Sequence, residues 1–396
     1  MDYFKESLLL HKRLRGKIRI VPKMDVRSTD DLSLVYSPGV AAPCQEIVQD
    51  PDAVWDYTIK SNTVAIISDG SAVLGLGNIG AHAAIPVMEG KAMLFKRFAN
   101  IDAFPICLNT QDTDKIIETV KTIAPVFGGI NLEDIASPRC FEIEQRLQDI
   151  GIPVFHDDQH GTAIVTLAAL INAAKAVGKS LAQMRVVING AGAAGIAIAR
   201  LLRCQDMDTD LCIAVKEVIV CDTKGIIHRE RNDLNEVKKS LLTFTNLQNR
   251  KGSLRDALKG ADAFIGVSVG NLLSAEDVRL MASKPIIFAM ANPIPEIMPD
   301  EAQKGGAVVV GTGRSDLPNQ VNNVLGFPGI FRGALDAKAR RITPSMKLAA
   351  AFAIADCVAH PQPDYVIPAT LEEQVEWRVA RAVKEAALKD PKAHSL

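Results

Sequence analysis

Two segments share the spacing G-x-G-x-x-G: GLGNIG at residues 75–80 and GAGAAG at 190–195. That spacing seats a dinucleotide pyrophosphate on a helix N-terminus. It does so only where a strand precedes it, an unbroken helix follows and an acid ends the next strand. Around GAGAAG each condition is met. MRVVIN (184–189) is a short apolar run with β-branched residues, hence a buried strand, and IAIARLLRC (196–204) continues as helix. The polar stretch QDMDTD (205–210) forms a loop, and EVIVCD (217–222) is a second strand ending in Asp222. Gly190 permits the tight turn, Gly192 lets backbone approach the pyrophosphate, and Gly195 lets helix and strand close up. Ala193 and Ala194 complete the loop. Asp222 can accept hydrogen bonds from the adenosine ribose. Its interval exceeds the usual spacing of about 20 residues, an excess the 205–210 loop absorbs.

GLGNIG fails the same test. The helix that should follow is interrupted by Pro86 and Gly90, and the next apolar run, IDAFPICL, carries its acid, Asp102, at the start. The expected role is a turn where backbone passes close to something else. Farther on, ADAFIGVS (261–268), PIIFAMAN (285–292) and GAVVVGTG (306–313) read as parallel strands, with SLRDALKG and SAEDVRLMAS as helices between them. The predicted fold is α/β: an N-terminal α/β substrate and metal domain, residues 1–158, and a Rossmann-like doubly wound dinucleotide-binding domain, residues 159–396, whose C-terminal helices pack back. A length of 396 residues suits two domains.

Composition excludes other classes. Net charge is −1 and aromatics are 5%, which argues against a nucleic-acid partner. No run of about 18 apolar residues exists, so no membrane span is expected. MDYFKESLLL lacks the pattern of a secretory signal. The seven cysteines include no C-x-x-C pair and read as reduced, buried thiols of a cytoplasmic protein.

Two acidic pairs end apolar runs: Glu133 and Asp134 in INLEDIASP, and Asp157 and Asp158 in GIPVFHDDQHGTAIV. Carboxylates from two loops suit Mg²⁺ or Mn²⁺, which take hard oxygen ligands. Such pairs also occur as solvated loops or helix caps. His156 and His160 read as supporting residues, since neither has a second histidine at helical ligand spacing.

At this point the chain resembles the malic enzymes. FHDDQHGTAIVTLAALI (155–171) resembles the family signature, and VYSPGVA (35–41), SDGSAVLGLGNIG (68–80), EGKAMLFK (89–96), LED (132–134), GAGAAG, ANPIPE (291–296) and NNVLGFPG (322–329) follow in the family's order, over roughly residues 15 to 385. The resemblance is to the compact prokaryotic form. It implies oxidative decarboxylation of L-malate to pyruvate and CO₂ with reduction of NAD(P)⁺. It assigns Glu133, Asp134 and Asp158 to a divalent metal, Lys91 as base, Tyr36 as acid, and Asn292, Asn322 and Asn323 to the substrate, Asn292 also bordering the cofactor. Lys91 can serve as base if burial and a nearby cation lower its pKa, and Lys96 is its rival. One departure stands out: where larger members carry a substrate-binding arginine, this chain has Ser71 and Ala72, and Arg314 is the replacement to consider. Asp222 favours NAD over NADP, though Lys224 offsets its charge.

The ends complete the expectations. LLLHKRLRGKIRIVPK reads as a helix followed by a strand, or as a homodimer arm as the resemblance suggests. TLEEQVEWRVARAVKEAALK (370–389) opens with a capping box, Thr370 with Glu373. Two other functions remain open: redox-neutral conversion of malate to lactate, and a non-catalytic NAD-binding sensor.

Overall fold

The computed structural model describes residues 2–73, 75–205, 207 and 212–395. Within them two parallel sheets form. The first comprises Thr63–Ser68 (β1), Asp102–Cys107 (β2), Gly129–Leu132 (β3) and Val154–His156 (β4), in the order β2-β1-β3-β4. Strand β1 shows how it is sandwiched. Val64 and Ile66 join Met88 and Phe95 in one core, while Ala65 and Ile67 join Ile116 and Ile143 in another. Alternate side chains thus enter two apolar layers, which is why the run carries no polar alternation.

The second sheet comprises Arg185–Asn189 (β5), Glu217–Asp222 (β6), Gly225–Ile226 (β7), Ala263–Gly266 (β8), Ile286–Ala289 (β9) and Val309–Thr312 (β10). Its order is β10-β9-β8-β5-β6-β7, parallel except for β7 at the edge. The α/β expectation holds, and β6 falls on the six residues predicted. In both sheets the order reverses beside the first strand. β2 and β3 flank β1, and β6 and β8 flank β5. Such reversals leave a crevice at the carboxyl ends of the strands. Both acidic pairs and the glycine loop sit at those ends.

Helix Thr162–Val177 runs through the core, and with the turn before it forms, among the described residues, the one helix long and apolar enough to cross a membrane. Most of it is buried inside the protein. The C-terminal helices tie the two sheets together. Phe327 and Phe331 of helix Phe327–Asp336 stack edge-on against Phe95, with centroids 4.8 and 5.4 Å away.

Four expectations need correction. The helix after GLGNIG is not interrupted: Gly80–Ala99 is one helix with Pro86 inside it, and Lys17 Nζ donates to the Pro86 carbonyl at 2.7 Å. Helix Tyr3–Leu14 forms, but no strand follows it over residues 15–28. Thr370 caps nothing; its hydroxyl donates to Gln320, and the terminal helix begins at Val375. The cysteines are not all reduced and buried, since Cys204 and Cys212 form a disulfide and Cys44 is exposed. Of the expected 205–210 loop, residues 206 and 208–210 lie outside the described residues.

Candidate active site

Strand β3 delivers Glu133 and Asp134, and strand β4 delivers Asp157 and Asp158 on the wide turn Asp157–Gly161. Glu133, Asp134 and Asp158 each offer a carboxylate oxygen, all within 4.8 Å of one another. The Asp134 amide donates to Asp158 Oδ2 at 2.8 Å, and Asn131 Nδ2 to Glu133 Oε2 at 2.9 Å. Asp134 is held at φ 54°, a backbone region that residues other than glycine seldom adopt. Burial, reinforced by Asp158 and Glu133, pushes the Asp134 carboxyl up to about 9. Burial also raises Glu133 and Asp158. Three crowded carboxylates with no sulfur or imidazole among them fit a hard divalent cation, whose charge relieves that repulsion.

Lys91 stands beside them on helix Gly80–Ala99, only 7% exposed. Its ammonium donates to Glu133 Oε1 at 2.8 Å and to Asp157, and lies 4.1 Å from the centre of the Phe327 ring. Burial alone would lower its pKa, but Asp157 and Glu133 outweigh burial and hold it above the usual lysine value. The lowering a base needs is not supplied by the chain itself, because the neighbours of Lys91 are anions. Lys96 pairs instead with Asp102 at a half-exposed position. Asp157 is fully buried and also accepts from Asn323 Nδ2. Burial, partly countered by Lys91, pushes the Asp157 carboxyl up to about 8. Sequence reasoning saw Asp157 only as half of a pair; its place as the lysine's anchor was missed.

The glycine loop closes the other wall. A Cβ on Gly195 would sit 1.8 Å from the Gly190 carbonyl oxygen, so helix Ala193–Leu202 can start here only without a side chain. Gly195→Val should therefore destabilise the protein by about 3 kcal/mol or more, read by thermal or urea unfolding. Gly192, Ala193 and Ala194 face a cleft of about 780 Å³ shared with Glu133, Asp134, Asp158, Asn292, Asn322 and Asn323. GLGNIG serves the same cleft from the other side. Gly75, at φ 74°, lies where a Cβ would meet the Asn292 carbonyl oxygen at 3.0 Å. That is the close approach its sequence implied. Asp222, at the end of β6, is clamped by the two terminal guanidinium nitrogens of Arg231, at 2.7 and 3.0 Å, and by Lys238 at 2.7 Å. Burial opposes these cations, but they pull the Asp222 carboxyl down to about 2.

The structure does not gather every expected residue. Tyr36 is 69% exposed and does not line the cleft. Arg314 is paired with Asp316 and also lies outside the lining. Arg139, unremarked in the sequence, reaches Asp69 and the Ser71 hydroxyl, each at 3.0 Å. It braces the loop in which the family arginine is missing.

A glycine loop for a hydride-carrying dinucleotide faces hard-oxygen ligands across one cleft, and a buried lysine stands behind Glu133, outside the lining. That combination defines a two-domain nicotinamide-dependent oxidoreductase. The sequence pattern of the malic enzyme N-terminal domain matches residues 15–148, and that of the malic enzyme NAD-binding domain matches residues 159–388, so the chain belongs to the malic enzyme family. It is 57% identical over 392 residues to the bifunctional malic/malolactic enzyme of Bacillus subtilis, covering 98% of this chain and 94% of that one. It is 56% identical to the NAD-dependent malic enzyme of Geobacillus stearothermophilus, covering 96% and 78%. Relatives named NADP-dependent malic enzyme lie at 46% and 47%. The crystal structure of the NAD-dependent malic enzyme from Thermotoga maritima superposes with a TM-score of 0.90 at 49% identity, covering 96% of this chain and 98% of that one.

Proposed function

We propose that this chain converts L-malate to pyruvate and CO₂ while reducing a nicotinamide dinucleotide, with Mg²⁺ or Mn²⁺ held by Glu133, Asp134 and Asp158. The observation that carries the reading is the single cleft joining Gly192–Ala194 to those carboxylates. A divalent cation held by Glu133, Asp134 and Asp158 would supply Lewis acidity toward the substrate oxygens and would favour the neutral amine of Lys91. Lys91 is placed to take the C2 hydroxyl proton, and a nicotinamide held along Gly192–Ala194 would accept the C2 hydride. Asp157 and Glu133 fix the lysine's position. The β-carboxylate departs as CO₂, its bonding pair becoming the enolate of pyruvate, and C3 is protonated by the Tyr36 phenol. Asn292, Asn322 and Asn323 orient the substrate carboxylates from the cleft wall.

Tyr36 reaches that role through assembly as a homodimer. Residues 2–50 contain no buried side chain, yet Phe4 is 82% and Ile20 85% exposed, with Leu8, Val21 and Leu34 exposed beside them. Surface of this kind is covered in a stable protein. Phe4→Asp with Ile20→Asp should shift sedimentation from dimer to monomer and lower activity with it; a variant that stays dimeric would place the interface elsewhere.

NAD is favoured over NADP on the rule that an acid ending the second strand takes the adenosine ribose and repels a 2′-phosphate, and Asp222 ends β6. Arg231 and Lys238 are neutralised by that same carboxylate. Asp222→Ser frees Lys238 and leaves Arg231 paired only with Asp233, and the NADP-to-NAD ratio of kcat/KM should rise about tenfold or more. An unchanged ratio would remove Asp222 from cofactor choice. The name of the Bacillus subtilis relative keeps redox-neutral lactate formation in view. Product analysis separates the two, since only the oxidative route releases the reduced cofactor.

A further inference from the structure

Behind the carboxylate turn lies a second cavity, of about 430 Å³, separate from the cleft. Six elements contribute to its walls: helix Arg139–Arg146, the turn Asp157–Gly161, and helices Thr162–Val177, Ala193–Leu202, Glu236–Leu241 and Pro344–Ala355. Its polar side is organised around Glu144. That carboxylate accepts the His156 amide at 3.2 Å, Gln159 Nε2 at 3.1 Å and His160 Nε2 at 2.8 Å. Its lone pairs are therefore committed inward. Arg200 and Lys347 supply two positive charges to the same wall, against the one negative charge of Glu144. Both already have partners within the chain, so an incoming anion joins existing contacts. Ile164, Ile196 and Leu201 provide an apolar floor. The volume falls within the range of small-molecule sites.

We propose that this cavity binds a small organic anion, one carboxylate or phosphate on a short apolar body, and that occupancy changes dinucleotide affinity. The coupling follows from shared elements. Gln159 and His160 wall the cavity, while Asp158, on the same turn, faces the cleft. Ile196 and Arg200 wall the cavity, while Ala193 and Ala194, at the start of the same helix, line the cleft as part of the dinucleotide loop. A ligand here touches the backs of both walls of the cleft. It shifts affinity to the extent that it prefers one spacing of those elements.

The test is calorimetric titration of the metal-free protein with benzoate, hexanoate and phenyl phosphate, with neutral benzamide as control. NAD is then titrated with and without the saturating anion. Binding is the readout, so the outcome does not depend on whether malate is the substrate. At least one anion should saturate a single site that benzamide does not, and the carboxylates against phenyl phosphate identify the preferred head group. Lys347→Met should weaken that binding about tenfold. Ser240 is exposed on the cavity rim, so Ser240→Trp fills the mouth without entering the core, and should abolish it. NAD affinity should change about threefold or more with the anion in the parent protein, and not in Ser240→Trp. Anions binding no better than benzamide, undiminished binding in both variants, or an unchanged NAD affinity would each overturn the proposal.

Discussion

With Lys91 replaced by alanine, turnover of L-malate falls about a thousandfold while NAD binding stays within about twofold of the parent protein. The first expectation rests on position. Lys91 is the buried amine beside Glu133, one of the carboxylates that border the cleft, and Lys96 is tied to Asp102 away from it. The second rests on distance in the fold, because the glycine loop and Asp222 belong to the other sheet. The substitution also leaves Asp157 and Glu133 without their cation. Removing one member of a buried pair costs about 3–5 kcal/mol, so unfolding must be measured beside rate. Lys91→Arg separates the effects: it keeps a cation for the two carboxylates and so recovers stability, but its guanidinium cannot give up a proton and activity stays low. Retained activity in the alanine variant would move the base elsewhere.

The second large effect has opposite signs in two measurements. Asp158→Asn should weaken Mn²⁺ binding by about a hundredfold or more, beyond what loss of an outer partner costs. The same change should stabilise the metal-free protein by about 1 kcal/mol, since it relieves repulsion among buried like charges while an amide oxygen can still accept from the Asp134 amide. Titration with Mn²⁺ and thermal unfolding in a chelator check the two halves. A variant that loses stability and keeps its metal affinity would show Asp158 to be a structural cap.

Where local chemistry determines structure, the chain was readable. The run MRVVIN-GAGAAG and the strand EVIVCD specify strand, turn and strand by themselves, because Gly190 and Gly195 admit no side chain. Where packing overrides local preference, reading failed. Pro86 should break a helix, at a cost of about 3 kcal/mol. Yet Ala81, Ala84, Met88, Lys91, Ala92 and Phe95 bury one face of Gly80–Ala99, and Lys17 occupies the Pro86 carbonyl. That burial outweighs the break. The site shows the same division. Glu133, Asp134 and Asp158 were legible as acids ending apolar runs. The different duties of adjacent Asp157 and Asp158 were not, since only the turn geometry aims one at Lys91 and the other at Asp134. Arg231 was invisible as well. It lies nine positions beyond Asp222, no motif links them, and the pair forms only when the chain folds back beyond β7. The disulfide between Cys204 and Cys212 likewise has no spacing signature.

The most direct test of the central claim is a paired assay of purified protein with L-malate and NAD⁺, following cofactor reduction and pyruvate together, with and without Mn²⁺. The account predicts reduction that requires the metal and matches pyruvate mole for mole. Reduction without metal, or malate consumption that yields lactate and no free NADH, would contradict it.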